Sequence, residues 1–162
     1  MTASTFVARH VRVESVKTFA EVAKNLERQL GRFDPTALHS LRTGVAPADA
    51  RARIEAMAGE SGFMLFGTTD HGELLSILGE KRKAIQYVVG NPLIAIEMTR
   101  HNVAAGLYAP LRVLVYEDQQ GRTYLEYDEP SSLFGQFNDE RITSVASLLD
   151  RKMEQLVTMA AG

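Results

Sequence analysis

Cysteine and tryptophan are both absent from this 162-residue chain. Without cysteine there is no disulfide, no thiolate nucleophile and no Cys-ligated metal, which fits a reducing compartment. A surplus of positive charge is missing too. Lys and Arg number 18 against 20 Asp and Glu, a formal net charge of -2, so nothing electrostatic points to nucleic acid or to an anionic membrane. No run approaches the ~20 apolar residues of a membrane span, and the opening MTASTFVARHVRVESV lacks the apolar core of a signal peptide. The expected location is the cytoplasm. Internal repeats, low-complexity linkers and a glycine-rich phosphate fingerprint are also lacking, which argues against a doubly wound nucleotide fold.

What is present is an ordinary globular composition, 45% hydrophobic and 23% charged. The size prior gives one domain over 1–162, able to bury roughly two-thirds of its unfolded surface. The stretch from Tyr87 to Pro130 organises the rest. Ile85, Tyr87 and Val89 alternate with Gln86 and Val88, the period of a strand. Asn91 is a preferred helix N-cap and Pro92 suits the first helical position. Leu93 to Met98 is apolar almost all round, so that helix is expected to be buried, in the core or at a subunit contact. Leu111–Tyr116 and Thr123–Tyr127 then form a hairpin about the turn at 118–121.

Elsewhere Thr5–Val13 reads as a first strand. Thr18 and Glu21 form a capping box ahead of Phe19, Val22, Ala23, Leu26 and Leu30 at helical spacing, with Gly31 as the stop. Residues 32–46 read as a loop with at most one helical turn, and 48–58 as a short helix. Phe63–Phe66 suits a central strand covered on both faces. Asp70 with Glu73 would cap a short helix burying Leu74, Leu75 and Leu78 before Gly79. Lys81, Arg82 and Lys83 read as a solvated strand entry. Ser131–Phe137 reads as a loop with two exposed aromatics, and Asn138 as the cap of a final helix striped by Ile142, Val145, Leu149, Met153 and Leu156. The expected fold is α+β, a mixed sheet of about five strands packed by helices, in the order β-α-(α)-β-α-β-α-β-β-α.

A set of linked blocks resembles one family. Asp70-His71, Gly90-Asn91-Pro92, Ala105-Gly106-Leu107, Pro110 to Asp118, Gly121 and Tyr127-Asp128-Glu129-Pro130 are similar to Domain of Unknown Function 302, whose members read "DH", "GNP", "AGL-x-LP-LRVLV-x-ED-x-x-G" and "YNDP". The likeness runs from about 63 to 156. Ala109 stands where that pattern has Leu, Asp128-Glu129 replaces Asn-Asp, and 32–60 reads as a local insertion. The resemblance implies a compact α+β domain, generally homodimeric, in a family without a common activity. It carries a fold rather than a reaction.

The candidate ligand site is Asp70, His71, Asn91, Arg112 and Tyr127. His71 can titrate or ligate near neutral pH, and Asp70 beside it favours the imidazolium. Gly90-Asn91-Pro92 offers helix-start N–H groups, though Asn91 satisfies some and Pro92 removes one. If the hairpin loop is even in length, Tyr127 and Leu125 share the face of Arg112, and a cation flanked by tyrosines suits a carboxylate or phosphate. Glu97, Arg100 and His101 share a helix face but lack further metal ligands. His10 and His39 show no partner in the sequence, and Ser131-Ser132 has no histidine at a diagnostic spacing.

Three readings follow. The leading one is a soluble homodimer that binds or senses a small molecule near those five residues. The alternatives are a haem protein with His71, then His101, as axial ligand and helix 92–98 lining the cavity, and a small enzyme using Asp70-His71 as acid and base. The balance leans away from an enzyme, because no nucleophile, metal cluster or phosphate loop can be assembled.

Overall fold

The computed structural model describes residues 1 and 3–162, with the side chains of all but 40 and 41. Its centre is one six-stranded sheet in the order β1-β6-β5-β4-β3-β2. The strands are β1 (His10–Ser15), β2 (Gly31–Arg32), β3 (Met64–Asp70), β4 (Ala84–Gly90), β5 (Leu111–Glu117) and β6 (Thr123–Asp128). All neighbours are antiparallel except β2 on β3, which makes the sheet mixed and the fold α+β. The additional strand relative to expectation is β2, only two residues long. β3 is therefore no central strand. It is flanked by β4 on one side and, at Met64 and Leu65 alone, by β2 on the other.

Helix α1 (Phe19–Gln29) begins where the capping box placed it. Glu21 N–H donates to the Thr18 hydroxyl at 3.4 Å, and Thr18 N–H donates back to the Glu21 carboxylate at 2.9 Å. The Thr18 hydroxyl, donating to that carboxylate at 2.6 Å, and then the Thr18 N–H hold the Glu21 carboxyl below the usual carboxylate range. α1 and the long α7 (Glu140–Ala161) lie against one face of the sheet. They enclose Tyr87, Val89, Val113, Val115 and Leu125 between Val22 and Leu26 of α1 and Ile142, Leu149, Met153 and Leu156 of α7. Burying each such aliphatic side chain contributes about 1.5–3 kcal/mol. The N-cap of α7 is Asp139, whose carboxylate accepts from Arg141 N–H at 2.9 Å. Asn138, expected as the cap, instead takes a left-handed conformation at φ 50° one residue earlier.

Between β2 and β3 lie α2 (Thr36–Arg42) and α3 (Pro47–Glu55), so the expected loop contains a helix. The two ends of this excursion touch. Gly31 N–H and Gly59 N–H both donate to the Phe63 carbonyl at 3.0 Å. A Cβ on Gly31 would fall 1.7 Å from the Met57 carbonyl oxygen, and one on Gly59 would fall 2.3 Å from that of Gln29. Gly31 is thus required by backbone crowding, not by a left-handed stop.

Three further expectations change. Helix α4 (His71–Leu75) and the 3₁₀ turn after it leave Leu74 and Leu78 at 53% and 75% exposure instead of burying them, with Leu75 half-buried and Ile77 82% exposed beside them. Ser131–Phe137 is helix α6 (Pro130–Phe134) and a 3₁₀ turn, with Phe134 fully buried and Phe137 half-buried. Helix α5 (Pro92–Thr99) is covered largely by its own chain, through α7 and α3, with Ile96 left 45% exposed. Among the described residues no helix is long and apolar enough to cross a membrane.

The capped corner at 90–92 is as expected in position but differs in cause. Asn91 Oδ1 accepts from Leu93 N–H at 2.9 Å and its Nδ2 donates to the Gly62 carbonyl at 2.9 Å, while Gly90 is crowded by the Pro110 Cβ and has no positive φ. Asn91→Ala should therefore cost about 1–3 kcal/mol, a lost cap plus an orphaned carbonyl. Gly59→Ala should cost more, since only backbone can yield. Equilibrium denaturation checks both, and an unchanged midpoint for Gly59→Ala would contradict the pinched junction.

Candidate functional site

The five sequence candidates do not meet. Asp70 and Asn91 stand at opposite ends of the β3–β4 pair, because Asp70 is opposite Ile85 and Met64 is opposite Gly90. Five or six strand residues separate them, roughly 20 Å. The Asp70 carboxylate accepts from Glu73 N–H at 2.8 Å, so it is a helix cap. It borders a hollow of about 410 Å³ with Glu73, Lys81 and Lys83. His71 is exposed and makes no hydrogen bond among the described residues.

Tyr127 lies on the wrong side for the expected partnership with Arg112. Glu117 pairs with Thr123, leaving a turn of five residues, 118–122, which is odd. An odd loop inverts the parity of the returning strand. Arg112, Leu114 and Tyr116 therefore share a face with Tyr124 and Glu126, while Leu125 and Tyr127 join the core on the other. Burial raises the Tyr127 phenol above its ordinary range, helped by Glu154, Glu129 and Asp150.

That second face carries a polar and aromatic network. Arg12 lies over the Tyr124 ring at 4.1 Å and donates to the Tyr116 hydroxyl at 2.6 Å, and Tyr116 donates to Glu126 at 2.6 Å. His10, unpartnered in the sequence, sits between Asp128 and Glu126, each 3.1 Å from one ring nitrogen. The signal available was period-2 alternation, which puts His10 and Arg12 on one face, but the partner strand was needed to see it.

The cavity that α5 lines is elsewhere, at the corner between β4 and α5. About 220 Å³ is enclosed by Phe63, Ile94, Ala95, Met98, Leu111 and Phe134, with Leu149 of α7 behind them. Phe33 and Phe66 stack at 4.3 Å between centroids and line it too, together with Leu38, 41% exposed. Asn91 supplies its polar edge, and the Asn91 amide is already engaged on both sides. Among the described residues no titratable side chain and no histidine lines the cavity, so neither His71 nor His101 reaches it. His101 lies two residues beyond α5, and Glu97 pairs instead with Arg100 at 3.4 Å. Among the described residues no group of three or more His, Asp or Glu could hold a metal ion.

The fold and this cavity define a small α+β domain, one mixed sheet packed by helices with an apolar hollow at the β4–α5 corner. The chain belongs to the family described as domain of unknown function DUF302, whose model matches residues 39–160. The match begins upstream of the blocks that carry the resemblance, within the 32–60 stretch. The crystal structure of an uncharacterised conserved DUF302 protein from Bacillus stearothermophilus is similar, with a TM-score of 0.66 and 18% identity, over 93% of this chain and 97% of that one. At that identity the likeness shows the fold. A search of curated proteins found no match.

The His10 bridge has a definite pH signature. Hydrogen bonding to Asp128, then to Glu126, raises the His10 pKa despite some desolvation. A raised folded-state pKa means the bridge stabilises fully below the unfolded value, about 6.5, and is lost as pH rises through the folded one. Stability should fall slightly from about pH 6.5 upward, and His10→Gln should remove that component. Denaturation midpoints of both proteins across pH 5.5–8.5 measure it. Parallel curves would show that the bridge contributes nothing.

Proposed function

We propose that this domain is a small-molecule binding module whose ligand is apolar and sits in the cavity between α5 and the β3–β4 end of the sheet. One observation carries the reading: about 220 Å³ of space is walled by aliphatic and aromatic side chains, and among the described residues its single polar wall residue is already hydrogen-bonded. An apolar cavity of about 150 Å³ is known to stay dry and take benzene or xenon, so this one suits a substituted ring or a short alkyl chain. The stacked Phe33 and Phe66 and the part-exposed Leu38 make a rim that an apolar guest could cross without stranding a polar group.

The test is thermal unfolding with p-xylene or indole, and with imidazole as a polar control. A ligand near a hundred times its Kd should raise Tm by about 5 °C or more. Ala95→Phe, with Ala95→Leu as the milder variant, fills the space and should abolish the shift while retaining the fold. No shift with either apolar probe, or an equal shift in a folded Ala95→Phe protein, overturns the proposal.

The homodimer expected from the sequence forms part of the same reading, though through a different surface. The grounds in Phe134 and most of α5 are covered within the chain, whereas Leu74, Ile77 and Leu78 form an exposed apolar cluster. Such clusters commonly mark association sites. Light scattering at micromolar concentration should give twice the chain mass, and Ile77→Glu should halve it. A single-chain mass for the parent would remove the dimer.

A further inference from the structure

A second hollow lies on the face of the sheet away from α1 and α7. The β5–β6 ladder ends at Leu114 opposite Glu126. Continued in register, it would set Arg112 opposite Asp128. The ladder stops short of that pair, although Arg112 keeps Val88 of β4 on its other edge and Asp128 keeps His10 of β1. A pocket of about 450 Å³ opens there, with Arg112 and Asp128 on its floor and Val88, Leu107, Tyr108 and Leu133 around it.

The charges in this pocket are unequally satisfied. Asp128 is held by His10 at 3.1 Å. The Arg112 side chain makes no ion pair or hydrogen bond among the described residues, whereas Arg9, Arg12 and Arg122 are each bonded to a carboxylate at 3.0 Å or less. Leu107 stands 81% exposed at the rim, and the Tyr108 hydroxyl is turned to Gln136. The pocket therefore offers one free guanidinium fork beside a hydrocarbon wall, in a volume typical of ligand sites.

We propose that this pocket binds a small amphipathic carboxylic acid, its carboxylate on Arg112 and its hydrocarbon part against Leu107, Val88 and Leu133. A guanidinium matches a carboxylate through two parallel N–H···O bonds. A phosphate ester fits less well, because its second charge would face Asp128 with only one cation to meet it. The site is independent of the apolar cavity, although Ala109, Pro110 and Leu111 wall both.

The probe is hexanoate, compared with hexyl phosphate and hexylamine, followed by amide chemical shifts of the full chain. Hexanoate should bind most tightly and shift residues around Leu107 and Arg112. Arg112→Gln should weaken it about tenfold or more, as loss of a charge-assisted bond implies. Leu107→Glu should do the same by placing an anion on the wall. Both positions are exposed, so the fold should survive. Ala95→Phe should leave hexanoate binding intact. Unchanged affinity in Arg112→Gln overturns the proposal, as does preference for the amine. Binding lost in Ala95→Phe but retained in Arg112→Gln would place the acid's tail in the apolar cavity, overturning this site while leaving the first reading standing.

Discussion

One backbone carbonyl, that of Phe63, holds the molecule's two hydrophobic regions in register. It accepts from Gly31 and from Gly59, which are the two ends of the excursion carrying α2 and α3. The Phe63 ring is fully buried in the main core and also walls the apolar cavity. Ala37, Ile54 and Met64 form a separate, smaller core under that excursion. The short β2–β3 ladder, Phe33 N–H on the Leu65 carbonyl at 3.1 Å and Ser61 N–H on the Gln29 carbonyl at 3.1 Å brace the same junction. The position of the cavity between the two cores follows from this set of backbone bonds and from two glycines that leave room for them.

The parts of the fold legible in the sequence are those fixed by local chemistry. Thr18, Asp70 and Asn91 cap helices because a short polar side chain reaches an N–H two or three residues on, and that reach does not depend on the rest of the chain. The stripes on α1 and α7 likewise follow from helical period. The failures are where local pattern needed a distant fact. Leu74 and Leu78 have the right spacing for burial, but α4 is only five residues long and sits at a sheet end where nothing lies over them. Conversely Phe134 and Phe137 looked exposed because Tyr108, which meets them edge-on at 6.2 and 6.1 Å, is far away in sequence.

The candidate site shows the same division more sharply. Pairing Arg112 with Tyr127 depended on the parity of one turn. Asp118 settles that parity by accepting from Gln120 N–H and Arg122 N–H, both at 2.9 Å, which winds the chain into five residues instead of four. A one-residue difference moves every side chain of β6 to the other face. The apolar cavity was illegible for a different reason. Phe33, Phe63, Ala95, Leu111 and Phe134 are residue types that any core uses, and only their arrangement leaves a gap.

That gap is the feature of this structure hardest to explain by stability alone. Protein interiors hold few voids larger than a water molecule. On the scale measured for truncated cores, about 24 cal/mol per Å³, an enclosed hollow of about 220 Å³ would cost up to roughly 5 kcal/mol. A domain's whole net stability is only about 5–15 kcal/mol. The opening beside Leu38 lowers the figure, because part of the space is wet, yet the surrounding side chains could close it cheaply. Ala109, where the related pattern has Leu, and Ala95 on α5 both line the hollow, and larger side chains at either would narrow it. Small residues in a chamber otherwise walled largely by bulky aliphatic and aromatic side chains leave the packing incomplete at one place, while the sheet beside it is packed to zero exposure at Tyr87, Val89, Val113 and Leu125. A chain that fills one half of its core so completely has the means to fill the other, and an apolar guest in the proposed site would supply the contacts that the wall side chains leave unmade.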